Sequence, residues 1–244
     1  MNLYENAGSA KEYLAFLEST NGKIQQTVLL ETIQKKLQAN SGQYILDAAC
    51  GSGWLAGKLI QKFPNTSGFD SSETLITHAK NHFQNIDFTV ANLAKPLPFE
   101  NEKFDVIILN MAVTDLSKPV ESFSNLNKIL KPGGQLLVTI PNPYYAYPIG
   151  VWKRGLLDRL LLRKPKLRLR SFPYNSKELL PSWDPKQPTS HYYSLTDHIS
   201  TIKKSKFELL DLVEIRSDTD SDKFDLRYQL FRYPLFLLLE FKKA

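Results

Sequence analysis

With one cysteine, Cys50, in 244 residues, the chain cannot form an internal disulfide and has no thiolate cluster for zinc or an iron–sulfur centre. Long apolar runs are missing too. The longest, residues 234–239, falls far short of the ~20 residues that span a bilayer and suits a buried strand. Residues 1–6 have neither the basic stretch nor the apolar core of an export signal, so a cytoplasmic location is expected. Repeats and low-complexity tracts are absent. What is present, 42% apolar and 23% charged residues, supports a packed core and excludes a wholly disordered chain.

Acidic residues are scarce in one place. Residues 153–170 hold eight basic side chains against Asp158 alone, a net +7, so the rest of the chain carries −1 of the total of +6. Basicity confined to one segment points to a local contact rather than to a nucleic-acid-binding surface.

Apolar residues at helical spacing predict helices over 9–19 and 23–38, broken at Asn21-Gly22. Strands then alternate with helices: strands at 43–47, 66–70, 86–91, 103–109 and 135–140, and helices at 54–63, 72–83 and 120–130. This alternation predicts an α/β fold with a doubly wound, mostly parallel sheet. After Pro141-Asn142-Pro143 the rhythm stops for about fifty residues, longer than an ordinary loop, and resumes with a helix capped at Ser194 and strands at 207–215 and 235–241. The expected division is a cover of N-terminal helices (1–40), a main domain (41–142 and 194–244) and an inserted lid (143–193).

Asp47-Ala48-Ala49-Cys50-Gly51-Ser52-Gly53 joins the first strand to its helix, where an open parallel sheet puts its ligand crevice. Glycines there let a ligand approach the backbone. Asp70 ends the second strand about twenty residues on, where a carboxylate can accept both hydroxyls of a ribose; capping the next helix is its other role, one that Ser71 or Ser72 could fill. A nicotinamide-binding turn would need glycine at position 56, where Ala56 stands.

These residues resemble the class I S-adenosylmethionine-dependent methyltransferases. The resemblance extends to Pro96-Leu97-Pro98-Phe99, Lys103-Phe104-Asp105-Val106-Ile107 and Ile129-Leu130-Lys131-Pro132-Gly133-Gly134, covering residues 40–142 and, more loosely, 194–241. It implies a seven-stranded sheet with the insertion after the fifth strand, and S-adenosylmethionine as cofactor. Asp47 would order the turn; Ala49, Gly51 and Gly53 would let the cofactor pass; Asp70 and Ser71 would hold the ribose. Asn92 and Leu93 would contact adenine, and Asn110 and Met111 the methionine part. Two positions depart from the family pattern, Ala49 for glycine and Asn92 for aspartate.

The expected acceptor is a small apolar or aromatic molecule, with Tyr13, Tyr144, Tyr145 and Tyr192 as an aromatic wall and His191 as proton acceptor, unless His191 is structural. Residues 149–162 show a broad apolar helical face. They read first as a lid packed on its own domain, and second as an interfacial helix giving 149–170 a peripheral membrane contact. Other readings of the whole are an RNA or protein methyltransferase guided by the basic segment, and a non-catalytic cofactor-binding partner subunit. His78 and His82 stand four apart but lack a third ligand, and Asp115 alone is too little for magnesium, so no metal is expected.

Overall fold

Ile45, Val106, Ile108, Leu137 and Leu238 are buried in one apolar cluster, and their neighbours Leu46, Ile107, Leu109, Leu136 and Leu239 in another. Strands covered on both faces read as apolar runs, which is why 106–109 and 136–138 carry no polar residue. In the computed structural model, which describes residues 7–37, 39–145, 150–161, 163–169, 179–180, 190–191 and 193–244, these strands are the centre of a seven-stranded sheet.

The elements follow in chain order. Helices α1 (Ala7–Glu18) and α2 (Thr20–Lys36) precede β1 (Ile45–Ala48), α3 (Trp54–Leu59), β2 (Thr66–Asp70), α4 (Glu73–His82) and β3 (Asp87–Val90). Then come β4 (Phe104–Asn110), a 3-10 turn at Val113–Asp115, α5 (Pro119–Ile129) and β5 (Leu130–Pro141). Beyond these lie β6 (Gly150–Lys153), α6 (Leu156–Leu160), β7 (Lys166–Leu169), β8 (Leu179–Leu180) and β9 (Ser190–His191). The chain ends with α7 (Leu195–Lys204), β10 (Phe207–Ile215), α8 (Leu226–Arg232) and β11 (Phe236–Lys243).

The sheet order is β10-β11-β5-β4-β1-β2-β3, with β11 antiparallel to both neighbours and the other pairs parallel. Leu29 and Ile33 of α2, Leu55 and Leu59 of α3, and Leu226 and Leu230 of α8 cover one face. Phe123 and Leu126 of α5 and Ile202 of α7 cover the other. From β1 the chain winds outward to β2 and β3, then returns to place β4 on the other side of β1. That reversal opens a crevice at the strands' carboxyl ends, which positions the site.

Two expectations are corrected, and one element is additional. Asn21-Gly22 does not break the helices: Ser19 caps α2 by accepting from the Gly22 N–H, and Gly22 lies in its first turn because a Cβ there would stand 2.0 Å from the Phe16 carbonyl oxygen. In place of the helix expected over 149–162, the described residues there form β6 and the five-residue α6, which lies at the tip of the β6–β7 hairpin. Its leucines satisfy a helical period, but α6 buries none of its residues, so no packed face sustains a longer helix. The short helix α8 was not anticipated; Asp225 caps it, and Asn21 accepts from the Leu226 N–H at 3.0 Å.

Candidate functional site

Three residues of the turn from β1 to α3 are left-handed: Ala49 (φ 54°), Gly51 (φ 54°) and Gly53 (φ 74°). At Gly51 the reason is also steric, since a Cβ there would lie 3.0 Å from the Tyr13 ring, which comes down from α1 onto the turn. Asp47 holds the turn from behind, its carboxylate accepting the Ala56 N–H at 3.1 Å. It is buried and lies outside the lining of the cleft. Burial pushes its carboxyl up to about 8, against the lowering effect of the Ala56 hydrogen bond and with a further push from Asp70.

Asp70, at the end of β2, accepts the Gly51 N–H at 2.9 Å through one oxygen and the Ser72 N–H at 2.8 Å through the other. Burial raises its carboxyl, and these backbone donors oppose the rise. Ser72, not Asp70, caps α4 by accepting the Leu75 N–H. With about four acceptor sites against the Gly51, Ser72 and Ser71 backbone donors, the carboxylate can brace the glycine turn and still accept from a ligand hydroxyl.

After β3, Asn92 accepts the Ala94 N–H at 2.8 Å, and Asn125 of α5 donates to the Leu93 and Lys95 carbonyls at 3.0 and 2.9 Å, pinning the loop. After β4, Met111 is left-handed (φ 57°). Thr139 of β5 secures that bend: its hydroxyl accepts the Met111 N–H at 3.0 Å and donates to Asn110 at 2.7 Å. The 3-10 turn then carries Asp115 to the cleft. Burial first, and the nearby Asp70 charge second, push its carboxyl up to about 7. No hydrogen bond reaches that carboxylate among the described residues.

These segments enclose a cleft of about 270 Å³. Of the residues singled out in the sequence, Tyr13, Ala49, Gly51, Asp70, Ser71, Asn92, Leu93, Asn110 and Met111 line it together. Asp47, behind the turn, and Gly53, within it, are not part of the lining; a Cβ on Gly53 would meet Phe88 at 2.6 Å. Tyr144 and Tyr145 are corrected: neither lines the cleft, Tyr144 being half exposed and Tyr145 packed on Tyr233 with ring centroids 5.4 Å apart. They follow β5 around the Asn142 turn, where Asn142 donates to the Pro234 carbonyl and accepts from the Tyr144 N–H. Tyr192 and the side chain of His191 lie outside the described residues, but the β9 backbone passes within 8 Å (Cα–Cα) of the Val113–Asp115 turn.

Phe16, Leu17, Gln25 and Gln26 from the N-terminal helices, and Trp54 and Asp115, are among the lining residues that were not singled out for it. Tyr13, Phe16 and Leu17 do share one helical face, a signal visible in the sequence; the inward position of Asp115 depends on a bend secured from another strand. His78 and His82 stack at 3.9 Å, and no group of three potential metal ligands occurs among the described residues.

Residues 45–134 match the profile of a methyltransferase domain. The chain is similar to a malonyl-[acyl-carrier protein] O-methyltransferase from Hahella chejuensis, 34% identical over 99 residues, 39% of this chain and 35% of the relative. It is also similar to a ubiquinone biosynthesis O-methyltransferase from Coxiella burnetii, 30% identical over 125 residues, 49% of this chain and 53% of that one. The chain therefore spans about a third to a half of the length of these relatives. The fold matches that of an S-adenosylmethionine-dependent methyltransferase from Mesorhizobium loti, with a TM-score of 0.70, 21% identity, and 87% and 96% of the two chains covered.

Residues 45–134 thus match a methyltransferase domain, on a fold shared with S-adenosylmethionine-dependent methyltransferases. Within this methyltransferase domain, Gly57 has a local task unrelated to a dinucleotide turn: a Cβ there would stand 2.2 Å from the Phe83 ring, so the glycine lets α3 and the end of α4 pack closely. The cleft is lined both by polar residues, among them Asp70, Ser71, Asn92 and Asp115, and by apolar ones, among them Phe16, Leu17, Trp54 and Met111. Mixed lining of this kind suits a ligand that is part polar and part apolar.

Proposed function

We propose that this chain transfers a methyl group from S-adenosylmethionine to an oxygen of a small, apolar or aromatic acceptor. The observation that carries the reading is the buried Asp70 carboxylate, braced by two backbone N–H groups yet still lining the cleft beside the left-handed Gly51 turn. In this reading Asp70 and Ser71 hold the ribose, Asn92 and Leu93 meet the adenine, Asn110 and Met111 border the methionine part, and Asp47 and Gly53 shape the turn. The cofactor supplies an electrophilic methyl group on a sulfonium. The protein's contribution is placement and the exclusion of water, since in-line displacement depends on attack geometry.

Tyr13, Phe16 and Leu17 form the cover over the acceptor, and their apolar surface favours a hydrophobic molecule. The names of the two relatives, both O-methyltransferases, support oxygen as the accepting atom. A hydroxyl acceptor must lose its proton. Asp115 takes it in this proposal, because its carboxylate is in the cleft, lacks a hydrogen-bond donor among the described residues and titrates near the working range of a general base. His191 is the second candidate, favoured by the approach of its strand to the Asp115 turn.

The test is calorimetric titration of the protein with S-adenosylmethionine and S-adenosylhomocysteine, followed by methylation assays on hydrophobic phenols. Wild type binds both ligands. Asp70→Asn binds roughly 100-fold more weakly, as expected for the loss of charge-assisted hydrogen bonds. A folded wild type that binds neither ligand would overturn the proposal.

A further inference from the structure

The β6–β7 hairpin presents an apolar tip that the rest of the described protein does not cover. Leu156, Leu157, Leu160 and Leu161 are 79%, 71%, 74% and 57% exposed, within six successive residues. Isolated exposed leucines are ordinary; four on one protruding tip form a patch that calls for a partner.

Cations surround that patch. Lys153, Arg159, Arg163, Lys166 and Arg168 are all exposed, and the strand register puts Lys153 directly opposite Lys166. Like charges facing each other across two strands repel, and anions above the pair would relieve the repulsion. Lys164 is engaged elsewhere: it pairs with Asp220 at 3.2 Å, donates to the Ser221 carbonyl and lies 4.6 Å above the Tyr228 ring, tying the hairpin to the body of the protein.

We propose that this hairpin docks the protein on an anionic lipid surface, with the four leucines entering the headgroup layer and the flanking cations meeting the lipid phosphates. A leucine tip ringed by Lys and Arg has the chemistry of an interfacial anchor, which gains from apolar burial and from the surface potential together. RNA fits less well, because the tip offers leucines where a nucleic acid needs stacking rings. A second copy of the chain docked tip to tip would bring two sets of cations together. The inference is independent of the methyltransferase reading.

The experiment is co-sedimentation of the full chain with vesicles of phosphatidylcholine alone and of phosphatidylcholine containing about 30% phosphatidylglycerol. The protein should partition onto the anionic vesicles at least about tenfold better than onto neutral ones, and 0.5 M salt, by screening, should reduce that preference to roughly threefold or less. Leu157→Asp/Leu160→Asp should lose binding about tenfold or more, and Lys166→Glu/Arg168→Glu should lose the preference for anionic lipid. Both pairs are exposed, so unchanged circular dichroism and S-adenosylhomocysteine binding should accompany the loss.

Wild type that stays in the supernatant with both vesicles, or binding that ignores both double variants, overturns the proposal. So does binding to poly(U) RNA, or self-association in sedimentation equilibrium, that depends on these residues while vesicles are ignored. Failure here with intact S-adenosylhomocysteine binding leaves the methyltransferase proposal standing.

Discussion

Ala49 occupies a left-handed position (φ 54°) in the turn after β1, a conformation that brings the Cβ of an L-residue too close to the following carbonyl oxygen. The family pattern has glycine there. Ala49→Gly should relieve the strain at the expense of extra freedom in the unfolded chain, for a net stabilisation of about 0.5–1 kcal/mol. Urea unfolding monitored by circular dichroism reads the change, and a lower midpoint in the variant would contradict the argument. Asp47, Gly51, Gly53 and Asp70 were legible as a group from their spacing. Their division of labour was not, because Asp47 and Asp70 are both acids at strand ends, and only Asp70 reaches the cleft.

At the scale of elements, the central strands were legible because burial on both faces leaves a run of apolar residues that few other structures tolerate. Helix α7 was equally plain from its cap. Ser194 accepts the Asp197 N–H at 3.1 Å, and Asp197 returns the bond by accepting the Ser194 N–H and hydroxyl. Because Ser194 is buried, Ser194→Ala should cost about 1 kcal/mol or somewhat more, seen as a lower denaturation midpoint with unchanged S-adenosylhomocysteine affinity. Residues 149–162 were read as one helix, whereas the described residues among them form the first strand and the tip of a hairpin. Helical periodicity in Leu156, Leu157, Leu160 and Leu161 specifies a helix only where a neighbour buries that face, and none of α6 is buried.

Across the whole molecule, buried titrating groups oppose one another. Asp115 and Asp47 titrate at about 7 and about 8, above the ordinary carboxylate value near ~4, so the folded state holds protons that the unfolded state has released. Stability from this source falls as pH rises through that range. His198, buried on α7 against Tyr193, runs the other way: burial holds it down to about 4, so stability is lost as pH falls below the usual ~6.5.

Tm should therefore fall as pH rises to about 8, most steeply above the His198 range near ~6.5, and level off beyond, and Asp115→Asn should recover a few degrees of that fall, at about 2–4 °C per kcal/mol for a chain of this size. The same variant should lower kcat/KM by about 100-fold or more and abolish the rise in rate through pH 7 that a deprotonated base confers. If the variant keeps that rise, the proton goes to another group, and His191 becomes the first to substitute.

The sequence by itself determined the α/β alternation, the position of the glycine turn and the acid that faces it, because these depend on local periodicity and on short, sterically forced spacing. Only the tertiary structure decided which side chains share the cleft. Tyr13 comes to lie on Gly51 through the docking of α1. Asp115 reaches the cleft after a bend that Thr139 secures from β5, and Asn125 of α5 pins the loop after β3. Such contacts join residues distant in sequence, where no local pattern records the partner.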